Sequence, residues 1–333
     1  MTLKLRRLVV KPTLACTASC PTCALRLDLY EKRKYENSLT LEQWTELIED
    51  AYNLGCRDLH ISGGEPTLYP ETVRLIEVAT RLGITTNVNT NGSRIPPTLI
   101  QGLVNAGLGS ITVSMYSWRP SLHDRMRQEP GLFNRAVESI KRLRKQPNLL
   151  VDLQTILARY NLLELDRFVE MAYDLSVGYI YVSYVEGDVE KRWLPTANQI
   201  QEFRREIVPK IKQIVDKQAP SALRNQALKS VEAIFSDDSE RIVQFSQGLY
   251  HPIDKPNCPR PYNFALVLVN GEVHPCNGVE YSHEPVMGNI HNHKLSDLWQ
   301  DTVWNQFRVQ RYAWCHLCPM TLHFRIPIMG ETK

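Results

Sequence analysis

The chain is short of the features that mark nucleic-acid or membrane proteins. No block of lysine and arginine exceeds Arg6-Arg7 or Lys32-Arg33-Lys34, and the formal net charge is only +3. That is too little charge to carry binding to a phosphate backbone, so no nucleic-acid partner is expected. Lys4, Arg6 and Arg7 followed by Leu8 to Val10 imitate a signal peptide, but the apolar stretch stops at Lys11 and neither a targeting nor a membrane-spanning segment is read here. Internal repeats and low-complexity tracts are absent as well. A disulfide framework is also missing, because most of the eight cysteines fall in metal-type spacings, which points to a reducing cytoplasm. What is present is enough apolar material, 43% over 333 residues, to fill a sizeable core in one large and one small domain.

Short apolar runs alternate with helical patterns along the first two thirds, as βα units require. Strands are predicted near Leu5–Pro12, Asp58–Ser62, Ile84–Thr90, Ser110–Met115, Leu150–Ile156 and Gly178–Tyr184. Periodic segments such as Thr40–Leu54 and Leu132–Arg144 follow several of them. Six such units make a partial α/β barrel, and functional residues of such barrels sit at the carboxyl ends of the strands.

Cys16, Cys20 and Cys23 follow the first strand in a C-x3-C-x2-C pattern. Three thiolates are one too few for a closed tetrahedral metal site, whereas a [4Fe–4S] cube held by three cysteines keeps one iron open to an outside ligand. The second strand ends in Ser62-Gly63-Gly64-Glu65-Pro66, where glycines permit close backbone approach and Glu65 supplies a fixed negative charge suited to a cationic amine. Taken alone, the first pattern also allows a zinc or chance cluster, and the second an ordinary strand-to-helix turn. Together they resemble the signature loop and the GGEP motif of the radical S-adenosylmethionine (radical SAM) superfamily.

That resemblance implies a partial (β/α)6 barrel and assigns Cys16, Cys20 and Cys23 to the catalytic cluster. It implies that Gly63, Gly64, Glu65 and Pro66 hold the methionine ammonium of the cofactor. Asn91, in the turn Thr90-Asn91-Gly92 after the third strand, Ser114 at the end of the fourth and Gln154 on the fifth are candidates for its sugar and carboxylate. Asn-Gly is equally a plain turn signal.

The remaining cysteines form a second constellation. Cys258, Gly271 and Cys276 read as C-x12-G-x4-C, and Cys315 and Cys318 as C-x2-C. A hairpin, Phe264–Val269 with Glu272–His274 around Asn270-Gly271, is predicted between the first pair. This pattern, with the amphipathic Leu295–Arg311 after it, resembles a SPASM/Twitch-type auxiliary-cluster domain, a small C-terminal hairpin-plus-helix unit. One auxiliary [4Fe–4S] cluster on Cys258, Cys276, Cys315 and Cys318 is implied, making two clusters in all. A four-cysteine zinc ribbon is the alternative. Cys56, the eighth, lies about seven residues or about 23 Å before Gly63 along its strand, and is read as a buried apolar residue.

The expected organisation is a barrel over residues 1–190, a helical connection over 191–250 containing Thr196–Gln218 and Ala222–Phe235, and an auxiliary domain over 251–333. The implied chemistry is reductive cleavage of S-adenosylmethionine to a 5′-deoxyadenosyl radical, which removes a hydrogen atom from substrate. A ribosomally made peptide is favoured as substrate, possible partners being a separate leader-binding protein and a flavodoxin- or ferredoxin-type electron donor. Radical dehydrogenation or epimerisation of a small molecule such as an aminocyclitol or sugar is the rival enzyme reading, and a zinc-stabilised interaction protein the non-enzymatic one.

Overall fold

A computed structural model describes residues 3–23, 37–185, 190–234, 239–248, 258–277, 286–310 and 324–330. Six parallel strands form in sequence order: β1 (Arg7–Lys11), β2 (Asp58–Ile61), β3 (Thr85–Thr90), β4 (Ser110–Ser114), β5 (Leu150–Leu157) and β6 (Tyr179–Tyr184). Each pairs with the next, from Leu8 opposite Leu59 to Leu157 opposite Tyr184. Every one falls within a residue or two of its predicted span.

The crossovers are helical: α1 (Leu41–Asn53), α2 (Thr72–Arg81), α3 (Pro97–Asn105), the pair α4 (Pro120–Arg127) and α5 (Leu132–Leu143), then α6 (Leu165–Asp174). Local signals set their ends. Thr40 caps α1 reciprocally, accepting from the Gln43 amide at 3.2 Å while Gln43 Oε1 accepts from the Thr40 amide at 3.0 Å, a capping box. The outward side chains of the strands, including Leu59, Ile61, Val88, Ile111, Val113 and Leu153, join Ile48, Leu75, Ile76, Leu103 and Ile140 of the helices in the main core.

By strand alternation the intervening residues face the barrel interior. This inner face is strongly polar. Asn89 donates across the strand between them to Gln154 Oε1 at 3.0 Å, and Asn87 donates to Ser110 and Thr112 at 2.7 and 3.1 Å. Burial pulls His60 down to about 3, with the charges of Arg7 and Lys11 adding to it, so its ring is neutral at physiological pH.

The C-terminal third is not a separate layer. The expected hairpin is present as β7 (Phe264–Leu268) and β8 (Glu272–His274), followed by β9 (Gly288–Asn289). However, β7 pairs in parallel with β1, Arg7 opposite Phe264 through Lys11 opposite Leu268, and β10 (Phe324–Pro327) pairs antiparallel with β6. A single ten-stranded sheet in the order 10-6-5-4-3-2-1-7-8-9 results. The boundary expected at residue 251 therefore does not interrupt the sheet, because β7 satisfies the backbone of β1 that a six-strand barrel leaves open.

The helix expected over Leu295–Arg311 breaks at Asp301 into Leu295–Gln300 and Thr302–Gln310. Trp299 Nε1 donates to the Leu3 carbonyl at 3.1 Å, and Asp50 of α1 accepts from the Ser296 amide at 2.7 Å. The C-terminal segment is thus fastened to the first residues of the barrel. The connecting region contains Ala197–Glu202, Val208–Gln218, Ser221–Glu232 and Ser239–Ser246, with a π-helical turn at Phe203–Ile207. Among the described residues no helix is long and apolar enough to cross a membrane.

Candidate functional site

The cysteine loop leaves the carboxyl end of β1 and lies directly on the turn that leaves β2. The Gly64 amide donates to the Thr13 carbonyl at 2.9 Å and the Glu65 amide to the Ala15 carbonyl at 2.7 Å. The glycines make this contact possible. A Cβ on Gly64 would stand 2.3 Å from the Ala15 carbonyl oxygen, and one on Gly63, which has φ +120°, 2.5 Å from that of Thr13. The missing side chains thus let the turn approach the cysteine loop closely.

Glu65 is held within the chain. Its side chain is fully buried, Oε1 accepting from the Thr67 amide, the Thr67 hydroxyl and the Thr90 hydroxyl at 3.1, 2.7 and 2.8 Å, and Oε2 from the Asn91 amide at 2.6 Å. Four donors of its own chain occupy the carboxylate. It welds the turn after β2 to the end of β3. Pro66 opens a short 3-10 turn, Pro66–Leu68.

Asn91 is likewise engaged internally. Its Nδ2 donates to Thr17 Oγ1 at 2.9 Å and approaches Cys16 Sγ at 3.6 Å, while Oδ1 accepts from the Ser93 amide at 2.8 Å. Thr17 and Ser93 hydroxyls meet at 2.8 Å. Asn91 thus helps to hold the cysteine loop in place. Ser114 and Gln154, neighbours across β4 and β5, remain partly exposed on the inner face.

Within the loop Cys16 is exposed, Cys23 half-buried and Cys20 buried. The Cys23 amide donates to the Cys20 carbonyl at 3.1 Å, and desolvation pushes the Cys16 thiol above its usual range, opposed by the Ala18 amide. Helix α4 supplies a wall that sequence reasoning missed. The Arg127 carbonyl accepts from the Ser19 amide at 3.0 Å and from the Cys20 thiol at 3.9 Å. Asp124 accepts from the Gly131 and Phe133 amides at 2.6 and 2.8 Å, and His123 Nδ1 accepts from the Tyr116 amide at 3.1 Å. The signal available was the helical spacing of His123 and Arg127, four apart on one face.

In the C-terminal third Cys276 is buried against Val9, Phe264, Leu266 and Leu268, and Cys258 precedes the turn of helix Arg260–Asn263. Cys315 and Cys318 lie outside the described residues. Cys56 is fully buried in the main core, at the amino end of β2 and away from the site, as expected.

A family model described as "Radical SAM superfamily" matches residues 10–186. The chain belongs to the radical SAM superfamily. A second model, "Iron-sulfur cluster-binding domain" (SPASM), matches residues 258–319. Among curated relatives, the PqqA peptide cyclase of Gluconobacter oxydans is 26% identical over 90% of this chain and 78% of that protein. Among solved structures, Streptococcus suis SuiB bound to precursor peptide SuiA superposes with a TM-score of 0.68 at 15% identity, covering 92% of this chain and 67% of SuiB. The structure of anSMEcpe with bound AdoMet and Cp18Cys peptide gives 0.62 at 16%, over 94% of this chain and 87% of that one.

As a radical SAM enzyme with a SPASM region, the chain uses S-adenosylmethionine and two iron–sulfur clusters. The residues present suit the first of these clusters on three observations. The donor set at the barrel mouth is three thiols in one loop; the backbone cradle beneath it excludes any side chain at Gly63 or Gly64; and the buried Arg127 Nε, on the residue whose carbonyl meets Ser19 and Cys20, has no hydrogen-bond partner among the described residues. Among the described residues no three His, Cys, Asp or Glu side chains stand together as a closed chelate. The thiols are therefore carried by a framed loop rather than preset as a cage.

Proposed function

We propose that this chain is a peptide maturase whose cluster-bearing loop is Cys16, Cys20 and Cys23. The observation that carries the assignment is the seating of that loop on Gly63 and Gly64 at the carboxyl end of the barrel, where βα barrels place their chemistry. When bound, the cluster and S-adenosylmethionine supply hydrogen-atom abstraction from an unactivated carbon. The chain's own residues do the positioning: Asn91 and Thr17 fix the loop, Glu65 locks the turn beneath it, and backbone groups of Gly63 to Pro66 are left to meet the amino group of the methionine moiety. Ser114 and Gln154 line the interior as cofactor or substrate contacts. Cys258, Cys276, Cys315 and Cys318 hold the auxiliary cluster, which passes electrons or braces the fold. The three-part organisation over 1–190, 191–250 and 251–333 becomes, on this reading, a functional division laid on one continuous sheet.

A peptide is the favoured substrate because the inner wall offers amide, hydroxyl and imidazole groups, His60, Asn87, Asn89, Thr112 and Gln154, matched to the donors and acceptors of a peptide backbone. The names of the PqqA peptide cyclases and the peptides bound to SuiB and anSMEcpe agree with it. The setting is cytoplasmic, with a flavodoxin- or ferredoxin-type protein as electron donor and a separate leader-binding protein as a possible partner.

Iron, sulfide and zinc content after anaerobic reconstitution tests the site. About eight irons per chain, falling to about four when Cys16, Cys20 and Cys23 are all replaced by alanine, supports two cubanes. Unchanged iron in that variant removes the assignment. The substrate is tested by incubation with S-adenosylmethionine, a reductant and a short peptide encoded beside the gene. A peptide mass change with 5′-deoxyadenosine release supports the maturase, whereas turnover of an aminocyclitol with the peptide unaltered replaces it with the small-molecule enzyme.

A further inference from the structure

At the β10 end of the described sheet lies a groove that the site described above does not use, with a volume of about 600 Å³. One wall is helix Ser221–Glu232, where Asn225, Gln226, Lys229 and Ser230 recur at helical spacing on one stripe, and Arg325 of β10 completes the lining. The helix is seated on the strand, since Ala227 and Val231 join Ile326 of β10 in the main core. Among the described residues that line the groove, Lys229 and Arg325 are basic and none is acidic. Both are exposed. Glu232, three positions after Lys229, is held by Lys212 at 2.7 Å.

Arg325 also belongs to the inner face of the barrel. Ser114, Gln154, Tyr181 and Arg325 stand opposite one another on β4, β5, β6 and β10, and side chains paired in register point to the same face. The Arg325 guanidinium lies over the rings of Tyr179 and Tyr181, 3.3 and 5.6 Å from their centroids. Three strand spacings put its backbone roughly 14 Å from that of Ser114. An extended chain crosses that distance with about four residues, which is beyond the reach of a single sugar-sized ring.

We propose that the groove between helix Ser221–Glu232 and β10 holds an acidic stretch of the peptide substrate, its carboxylates paired with Lys229 and Arg325, while the residue to be modified lies toward the Ser114 and Gln154 end of the same row. The proposal rests on the peptide reading and gives that peptide a chemistry. Arginine suits the task because its planar fork pairs with a carboxylate while its face stays on an aromatic ring. Lys229 adds a point charge, and the amides of Asn225 and Gln226 with the Ser230 hydroxyl match the donors and acceptors of a peptide backbone. Since both charges are exposed, they contribute selectivity and encounter rate more than tight binding, and salt weakens them.

The probes are short fluorescein-labelled Gly-Ser peptides carrying a central Asp-Asp, Asn-Asn or Lys-Lys pair, titrated with the reconstituted enzyme at low salt and followed by fluorescence anisotropy. Wild type is expected to bind the Asp-Asp probe about fivefold more tightly than the Asn-Asn probe. Lys229→Gln and Arg325→Gln are each expected to weaken the Asp-Asp probe about threefold, and the double variant with Glu at both positions to favour the Lys-Lys probe instead. Should Arg325→Gln fail to fold, Lys229→Gln decides alone, because its side chain stands on the exposed face of a helix. No preference for Asp-Asp in wild type overturns the proposal, as does a preference that survives in these variants. Displacement of the probe by an equal concentration of free aspartate shows a site for a small carboxylate and overturns the peptide assignment. A peptide encoded beside the gene that wild type and the Lys229→Gln, Arg325→Gln double variant process equally removes the groove but leaves the maturase standing. Turnover of an aminocyclitol with that peptide unaltered removes the maturase, and the proposal with it.

Discussion

Glu65 and Asn91 are joined by a 2.6 Å hydrogen bond from the Asn91 amide to Glu65 Oε2, and through it the end of β2 is locked to the end of β3. The same Asn91 carries the cysteine loop on its side chain, so one buried carboxylate organises three segments at the barrel mouth.

Glu65→Gln replaces two acceptor oxygens by one and points an amide N–H2 at groups that are themselves donors. A loss of about 2–3 kcal/mol is expected, read by urea denaturation of the apoprotein, together with weaker iron retention after reconstitution. Unchanged stability would mean that the four contacts are not made in solution.

Gly64→Ala places a methyl group 2.3 Å from the Ala15 carbonyl oxygen, a clash with backbone that cannot rotate away. A cost of about 3 kcal/mol and a displaced cysteine loop are expected. Gly83→Ala is the matched control: Gly83 has φ +74° but no atom within 4 Å of a built Cβ, so only backbone strain of about 1 kcal/mol applies. Equal effects in the two variants would show that the contact between loop and turn is not tight.

Burial brings both His60 and His123 down to about 3 from the ordinary 6.5. Between pH 3 and 6.5 the unfolded chain therefore binds more protons than the folded one, and stability falls as the pH drops through this window. Each ring contributes about 1.4 kcal/mol per pH unit below 6.5. His123→Asn, whose Oδ1 can still accept from the Tyr116 amide, is expected to reduce the pH slope of unfolding free energy by about one proton between pH 6 and 5, and His60→Asn by a similar amount. Slopes equal to wild type would show that these rings take up protons in the folded state.

Trp299→Phe removes the N–H that reaches the Leu3 carbonyl while keeping an aromatic ring in the core. About 1–2 kcal/mol is expected to be lost, and because β7 pairs with β1, hydrogen exchange is expected to accelerate in β1 as well as near Trp299. Acceleration confined to the C-terminal helices would show that the segment opens independently of the barrel.

Much of this protein was legible because its determinants are local. The C-x3-C-x2-C loop, the Gly63–Pro66 turn and the six strand patterns each span fewer than a dozen residues, and the ligand type, the glycine requirement and the two-residue period are written in that span. The Asn270-Gly271 turn of the β7–β8 hairpin belongs with them: Gly271 has φ +81° and donates its amide to Leu268.

What only the tertiary structure decided is which partners those local features meet. Nothing in the sequence around Glu65 or Asn91 says that Glu65 meets Thr90 and the Asn91 amide, or that the Asn91 side chain meets Thr17. Arg127 stands more than a hundred residues from Cys20 in sequence yet supports it directly. The placement of β7 beside β1 and of β10 beside β6 joins the two ends of the chain to one sheet. Such pairings depend on the global closure of the backbone, on hydrogen bonds and charges brought together by folding, and no local pattern encodes them.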